Sequence, residues 1–501
     1  MKKTFFTVFV GLIFISSQAQ DINDALRYSK ENLNGTARFR AMSGAFGALG
    51  GDLSAIGVNP AGSVIFANNQ AGFTLSNFNT KNDSNYFGKL TSENNNSFDL
   101  NQAGAVFVFD NNDQKSDWKK FALALNYDNT GDLDNSIFSS GTNPNNSISN
   151  YFLSYANGLP LSTVIGNDFD YADLFFNEQQ AYLGYQSYII NSTDDTNPNN
   201  TQYVSGVAPG GNYIQEYTLE SSGYNGKLSF NASGQYTDKF SFGINLNSHF
   251  VDYRQSTSFF ERNNNNTSTT DLVKRLRFNN DLYTYGNGFS FQLGTIFKPT
   301  KEVRLGLAYE SPTWLTLNDE ISQDITAVSS SSAGELSPDV VNPNLTVIFE
   351  PYRLQTPSKF TGSFAYVFGK KGLISIDYAV KDYSNTTYKP KRDFTTTNAT
   401  MSNLLDASSE VRVGGEYKIK KLSLRGGYRF EKSPYKDGKT IGDLTGYSGG
   451  LGYNFGSTKL DLSYSYAQRD YNQQFFSQGF TDSSKISSVN NNVSVTLLFE
   501  L

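Results

Sequence analysis

The sequence predicts an all-β protein, a transmembrane antiparallel β-barrel of about fourteen strands with an N-terminal segment seated in its lumen. Three observations lead there. From residue 70 to residue 501, apolar residues alternate with small or polar ones in run after run, as in a wall that shows one face to lipid and the other to water. Aromatic residues reach 15%, with 40 Phe and 31 Tyr, while the hydrophobic share is only 38% and mean hydropathy is −0.45. A barrel combines these values because only every second residue meets lipid and aromatic girdles mark both interfaces. Tight links alternate with long ones along the chain, the mark of short periplasmic turns and long external loops. A bundle of membrane helices is excluded, since each needs about 20 consecutive apolar residues and no such run occurs.

Residues 1–19 read as an export signal, with Lys2 and Lys3, an apolar stretch over 5–15 and the small-x-small pattern Ser17-Gln18-Ala19. The apolar stretch is too short to span a bilayer comfortably. Residues 20–68 then form the expected luminal hatch. Residues 21–34 predict a short helix with Ile22, Leu26 and Leu33 loosely on one side. Residues 40–63, RAMSGAFGALGGDLSAIGVNPAGS, alternate nothing and carry Gly and Ala where a strand would carry large residues. Small residues permit close packing against a wall, and Gly accepts positive φ. The stretch closes on Asn59-Pro60-Ala61-Gly62, which predicts a turn: Pro60 holds its own φ and keeps Asn59 out of the α region. These four residues are the expected hinge of the hatch, acting through geometry alone.

Lying after a leader and before a barrel pattern, the Gly- and Ala-rich run with its Asn-Pro-Ala resembles the N-terminal hatch of the FadL/TodX family of outer-membrane transporters. Three later segments carry the same resemblance: YGNGFSFQLGTIFKPTKEVRLGLAYESP at 285–312, LQTPSKFTGSFAYVF at 354–368 and SLRGGYRFEKSP at 423–434. The resemblance implies fourteen strands and passive transport of long-chain fatty acids or other hydrophobic compounds such as aromatic hydrocarbons. It also implies that ligand leaves sideways through a gap near a distorted third strand. Residues 121–127 contain no Pro or Gly to mark such a kink.

The barrel, residues 69–501, is expected to start its strands near residues 70, 102, 119, 225, 239, 283, 301, 356, 372, 408, 421, 445, 457 and 490. Alternation is plain in Phe121/Leu123/Leu125/Tyr127, Phe240/Phe242/Ile244/Leu246 and Ile374/Ile376/Tyr378/Val380, with charges on the opposite parity. Tight links at 237–238, 299–300, 369–371, 420 and 456 separate long links at 256–282, 316–353, 385–407 and 471–488. Asn/Ser/Thr runs at 191–201 and 263–270 read as external tips. The largest external loop, 129–223, has an apolar middle over 149–190 that a solvated loop would lack. It predicts a small core that caps the barrel. Within it, Phe152, Phe175, Phe176, Tyr182 and Tyr185 are the candidates for first capture of a hydrophobic ligand.

The chain holds 41 basic and 47 acidic residues. With the leader's two lysines removed the charge is near −8, which argues against a nucleic-acid partner. There is no cysteine, which excludes disulfides and thiolate metal sites, and a single His249 excludes a histidine cluster. No metal or cofactor is expected. His249 falls on the inward parity of its strand, where a polar lumen residue is wanted anyway, so no pairing of nucleophile and base points to a hydrolase. Inward parity also collects Arg304, Asp377, Glu410, Arg412, Glu416, Arg425, Arg429 and Asp461. Paired with one another, these charges brace the lumen and the hatch. Arg412, Arg425 and Arg429 are at the same time the candidates to hold a ligand carboxylate.

The expectation is therefore a monomer in the outer membrane of a Gram-negative cell, in contact with membrane lipid, that passes a hydrophobic small molecule and is not an enzyme. The alternative from another class is a structural or adhesive barrel with no transport role. Loop tips rich in Asn, Ser and Thr suit it, but a permanently shut barrel needs no detachable insert.

Overall fold

Fourteen antiparallel staves, the number expected from the alternation, close into a barrel in the computed structural model, which describes residues 20–166, 170–265 and 271–501. The expected leader lies outside the described residues, as does most of the 263–270 run. The first staves are β1 (Gln70–Tyr86), β2 (Lys89–Asp110), β3 with its continuation β4 (Trp118–Asp132 and Asn135–Asn143), β5 (Tyr213–Tyr236), β6 (Phe240–Arg262) and β7 (Leu272–Phe297). Two interrupted staves follow, β8 with β9 (Val303–Glu310 and Trp314–Ser331) and β10 with β11 (Tyr352–Gln355 and Lys359–Val367). The last six are β12 (Gly372–Asp382), β13 (Ala407–Ile419), β14 (Leu422–Glu431), β15 (Ile441–Asn454), β16 (Thr458–Gln474) and β17 (Ser483–Glu500). β1 pairs with β17 from Gln70↔Glu500 to Asn85↔Lys485, which closes the sheet and removes the free edges a membrane would not tolerate.

Parity sorts the wall as the sequence predicts. Phe121, Leu123 and Leu125 on β3, Phe242, Ile244 and Leu246 on β6, and Ile374, Ile376 and Tyr378 on β12 face outward and are exposed, a belt that lipid covers. Asp377, Arg412, Glu416, Arg429 and Asp461 face inward and are buried. Pro312 and Pro357 lie in the two stave interruptions, because a proline has no N–H for the ladder. There Thr356 N–H donates to the Thr313 carbonyl at 3.0 Å and Thr313 N–H to Thr356 Oγ1 at 2.9 Å.

Several strands run farther outward than alternation indicates. β2 starts at Lys89 instead of near 102, β5 at Tyr213 instead of 225 and β7 at Leu272 instead of 283. The largest external loop accordingly shrinks from the expected 129–223 to 144–212. Above the lipid belt neither face of a strand needs to be apolar, so Glu93 to Ser97 shows no period of two, yet its backbone pairs with β1 from Tyr86↔Lys89 onward. Phe87 and Gly88 make that hairpin turn with φ of 47° and 84°, the paired positive values that suit the twist of a two-residue connection.

The lumen is filled in tiers. Helix α1 (Ile22–Ser29) lies within the expected 21–34 and buries Ala25, Leu26 and Tyr28. Its first turn is held by Asp21, whose carboxylate accepts from the N–H groups of Asn23 and Asp24 at 2.7 and 3.0 Å, satisfying donors that a helix start leaves open. A short helix α2 (Ala37–Ala41) and two 3₁₀ turns (Ser54–Gly57 and Pro60–Ile65) fill the periplasmic half. At the external end, α3 (Ser149–Ala156), α4 (Leu161–Ile165) and α5 (Phe176–Gln186) form the expected cap. Its core joins Phe152, Leu161 and Leu183 to the inner faces of the strand collar at Tyr217, Phe259 and Phe278.

Candidate functional site

The luminal segment is seated backbone to backbone on the inside of the wall. Asn59 is extended, at φ −140° and ψ 109°, and its side chain accepts from Ala61 N–H, capping the 3₁₀ turn that begins at Pro60. The expected turn is thus a helix start, because Pro60 has no N–H to satisfy and its φ suits the first helical position. Asn59 Nδ2 also donates to the carbonyls of Gly47 (2.7 Å) and Thr295 (3.0 Å). Wall side chains return the contacts: Asn231 to the Pro60 carbonyl at 3.0 Å, Asn245 to that of Ile56 at 2.8 Å and Gln292 to that of Gly57 at 2.9 Å. Such close approach needs glycine on the wall. A methyl group at Gly294 would overlap Asn59 and Pro60, and one at Gly243 would overlap Pro60 and Ala61. Asp377 accepts from the N–H groups of Phe46 and Gly47, both at 2.9 Å. The glycines of the segment were legible in the sequence; their partners in the wall read only as small inward residues.

The three candidate arginines come out as braces. Arg425 binds Glu416 at 2.7 Å and Asp461 at 2.6 Å, and Glu416 also takes Arg38 of the luminal segment at 2.9 Å. Arg412 and Arg429 share Glu410, each at 2.7 Å, and Arg429 reaches Glu431 at 2.8 Å. Every one of them already has a carboxylate. Removing one partner from such a buried set costs about 3–5 kcal/mol, mostly from the charge left alone.

Cations in excess occur elsewhere, above the seat, around a cavity of about 30 Å³ lined by Tyr28, Lys30, Glu31, Lys227, His249 and Lys381. Burial alone would raise the Glu31 carboxyl, but Lys359 at 2.7 Å and Lys381 at 3.8 Å outweigh it and hold the group well below the usual carboxylate range. Burial, helped by Arg469, pushes the Lys30 ammonium down to about 8. Lys227 is buried and forms no ion pair among the described residues. His249 is inward as expected, with Nε2 at 2.8 Å from Ser290 Oγ.

At the height of this cavity the wall loses its backbone ladder. β2 and β3 pair only from Gln102↔Asp128 down to Asp110↔Lys120. Farther out, in the described residues, β2 pairs with β1 and β4 with β5, but not with each other. Two irregularities end the pairing: Asn101 is an extra residue in β2, and β3 shifts register between Asn129 and Gly131. The distortion therefore lies just beyond residues 121–127, at Thr130, the extra residue of β3 between Asn129 and Gly131. Side chains span the seam, Asn129 to Asp99 and Ser97 to Asp132 at 2.9 Å each. The displaced Asn101 accepts from Gly35 N–H at 3.0 Å, tying the luminal segment to the seam.

In the cap, Phe152 is fully buried in the core, while Phe175 is 56% exposed. Phe176 is half-buried and meets Tyr155 and Phe349, at ring distances of 5.9 and 6.3 Å. Tyr182 packs on Tyr171, and Tyr185 donates to Asp195 at 3.4 Å. Sequence reasoning missed Phe349, which meets Phe176 from the external link between β9 and β10, and its neighbour Ile348, which is largely exposed. Their signal was the apolar run Val347-Ile348-Phe349 inside the long link 316–353.

A family model described as outer membrane protein transport protein (OMPP1/FadL/TodX) matches residues 196–497. Among solved structures, a Pseudomonas aeruginosa FadL homologue is 12% identical with a TM-score of 0.54, covering 94% of this chain and 99% of the other. The P. putida toluene transporter TodX is 14% identical with a TM-score of 0.50, again over 94% and 99%. No curated protein sequence matches the chain.

Proposed function

Because the chain belongs to the OMPP1/FadL/TodX family of outer membrane transport proteins, we propose that it lets long-chain fatty acids or aromatic hydrocarbons diffuse across the outer membrane, as a monomer, past a gating luminal segment. The first contact is the rim of Phe175, Phe176, Ile348 and Phe349, with Tyr182 and Tyr185 behind it. From there a ligand reaches the cavity at Lys227, whose charge suits a carboxylate where the ligand has one. A cavity of about 30 Å³ has room for a water and not for a chain, so passage requires the segment to shift on its Asn59 to Gly62 seat. The ligand then leaves sideways into lipid.

One observation carries this reading: cavity and seam share a level. Asp128, the last residue of β3 paired with β2, is also the register partner of Lys227 on β5, and Thr130 of β3 lines the cavity. Uptake of radiolabelled dodecanoate and of toluene, in a host lacking such uptake, tests the function. The route is tested by Ser97→Cys with Asp132→Cys, bridged across the seam through two disulfides by a bis-methanethiosulfonate reagent. Uptake should fall to background on bridging and recover on reduction. Undiminished uptake in the bridged protein overturns the route, and no uptake by the native protein in the membrane overturns the function in favour of a structural or adhesive barrel.

A further inference from the structure

We propose that the periplasmic mouth contains a second binding site, an acceptor for an anionic amphiphile, between the underside of the luminal segment and the turns that join β13 to β14 and β15 to β16. The assignment rests on the transport reading only for where such an amphiphile comes from. The cavity there measures about 380 Å³ and lies on the opposite side of the seat from Lys227. Seven basic and only three acidic side chains line it. Glu416 and Asp461 are taken up by Arg38, Arg425 and Lys418, and Lys459 pairs with Glu500 at 2.6 Å.

That leaves Arg304, Lys420 and Lys421 without a carboxylate among the described residues. Arg304 donates Nη1 to the Leu49 carbonyl at 2.8 Å, and its Nε is buried with no partner. A guanidinium satisfied on one edge alone is an oxyanion site waiting for its ligand, since buried donors are costly to leave unpaired. Like charges around a walled mouth also raise the local concentration of anions. The facing wall is carbon: Leu53, Ile65, Phe66 and Leu498. A free inorganic anion would leave that surface unused, whereas a carboxylate bearing an alkyl chain or ring covers it.

The chain has no cysteine, so Asn454→Cys, at the rim of the cavity, places one environment-sensitive fluorophore on the full-length protein in nanodiscs. Dodecanoate should give a saturable response that dodecanol and inorganic phosphate do not. Its affinity should weaken about tenfold in Arg304→Gln, the loss of one charge-assisted hydrogen bond, and in Lys420→Gln with Lys421→Gln. Arg304→Lys should retain most of it. An equal response to dodecanol would mean partition into apolar surface, and saturation by phosphate at the same concentrations would mean a free-oxyanion site. Either result, or an unchanged affinity in Arg304→Gln, overturns the proposal. Toluene uptake by cells, which needs no anion site, tests the transport reading separately.

Discussion

Asn59 holds three backbone groups at once, the Ala61 N–H and the carbonyls of Gly47 and Thr295, and it does so because Gly294 opposite it has no side chain. Gly294→Val should therefore push the luminal segment off its seat, at a cost of about 1–3 kcal/mol typical of overpacking. Ala61→Phe should act likewise from the other side, since Ala61 is fully buried. Limited proteolysis from the periplasmic face reads the result: faster cleavage within residues 40–63 with normal barrel insertion. Gly362→Ala is the control, because an added methyl there meets only Leu307 at 4.0 Å. At this scale the sequence shows which residues of the segment are small and which wall residues point inward. It does not show which wall glycine lies under which segment residue, since Asn59 and Gly294 are far apart in the chain. The same holds for Arg425 and Arg429, whose inward parity is legible but whose partners Glu416, Asp461 and Glu410 lie on other staves, whereas Arg412 and Glu410 are two residues apart on one stave.

Among the elements, α1 is fastened to the wall by the stretch that follows it, where Glu31 sits between Lys359 and Lys381. These lysines hold the Glu31 pKa below its ordinary value of 4.5. The stabilisation is therefore complete above that ordinary value and is lost as pH falls through the lower, folded-state value. Below about pH 4, the protection of residues 22–34 against hydrogen exchange, taken relative to the intrinsic rate at each pH, should fall, and Glu31→Gln should show the low protection already at neutral pH with little further change on acidification. An acid response unaltered in Glu31→Gln would place the fastening elsewhere. Strand centres in the lipid belt and the helical start after residue 20 are legible because each has its own periodicity. The outer halves of β2, β5 and β7 are not, because water on one side and a polar rim on the other remove the contrast on which alternation depends.

For the whole molecule, closure of β1 on β17 makes the barrel one cooperative hydrogen-bonded cylinder. Unheated protein in SDS should therefore migrate faster than boiled protein, and the native chain should fractionate with the outer membrane. Equal mobilities in intact membrane extracts would contradict a closed barrel. Fourteen staves, their inner and outer faces, the luminal insert and the apolar cap all follow from residue order, because each rests on a local pattern: a period of two, a run of small residues, the length of a link. The seat on Gly243 and Gly294, the seam above Gln102 and Asp128 and the cations Lys227 and Arg304, which no carboxylate pairs among the described residues, emerge only once the cylinder is closed. Each depends on which residues of separate staves and of the luminal segment come to the same height, and that is fixed by register and shear around the ring, to which no single stretch of the chain carries the key.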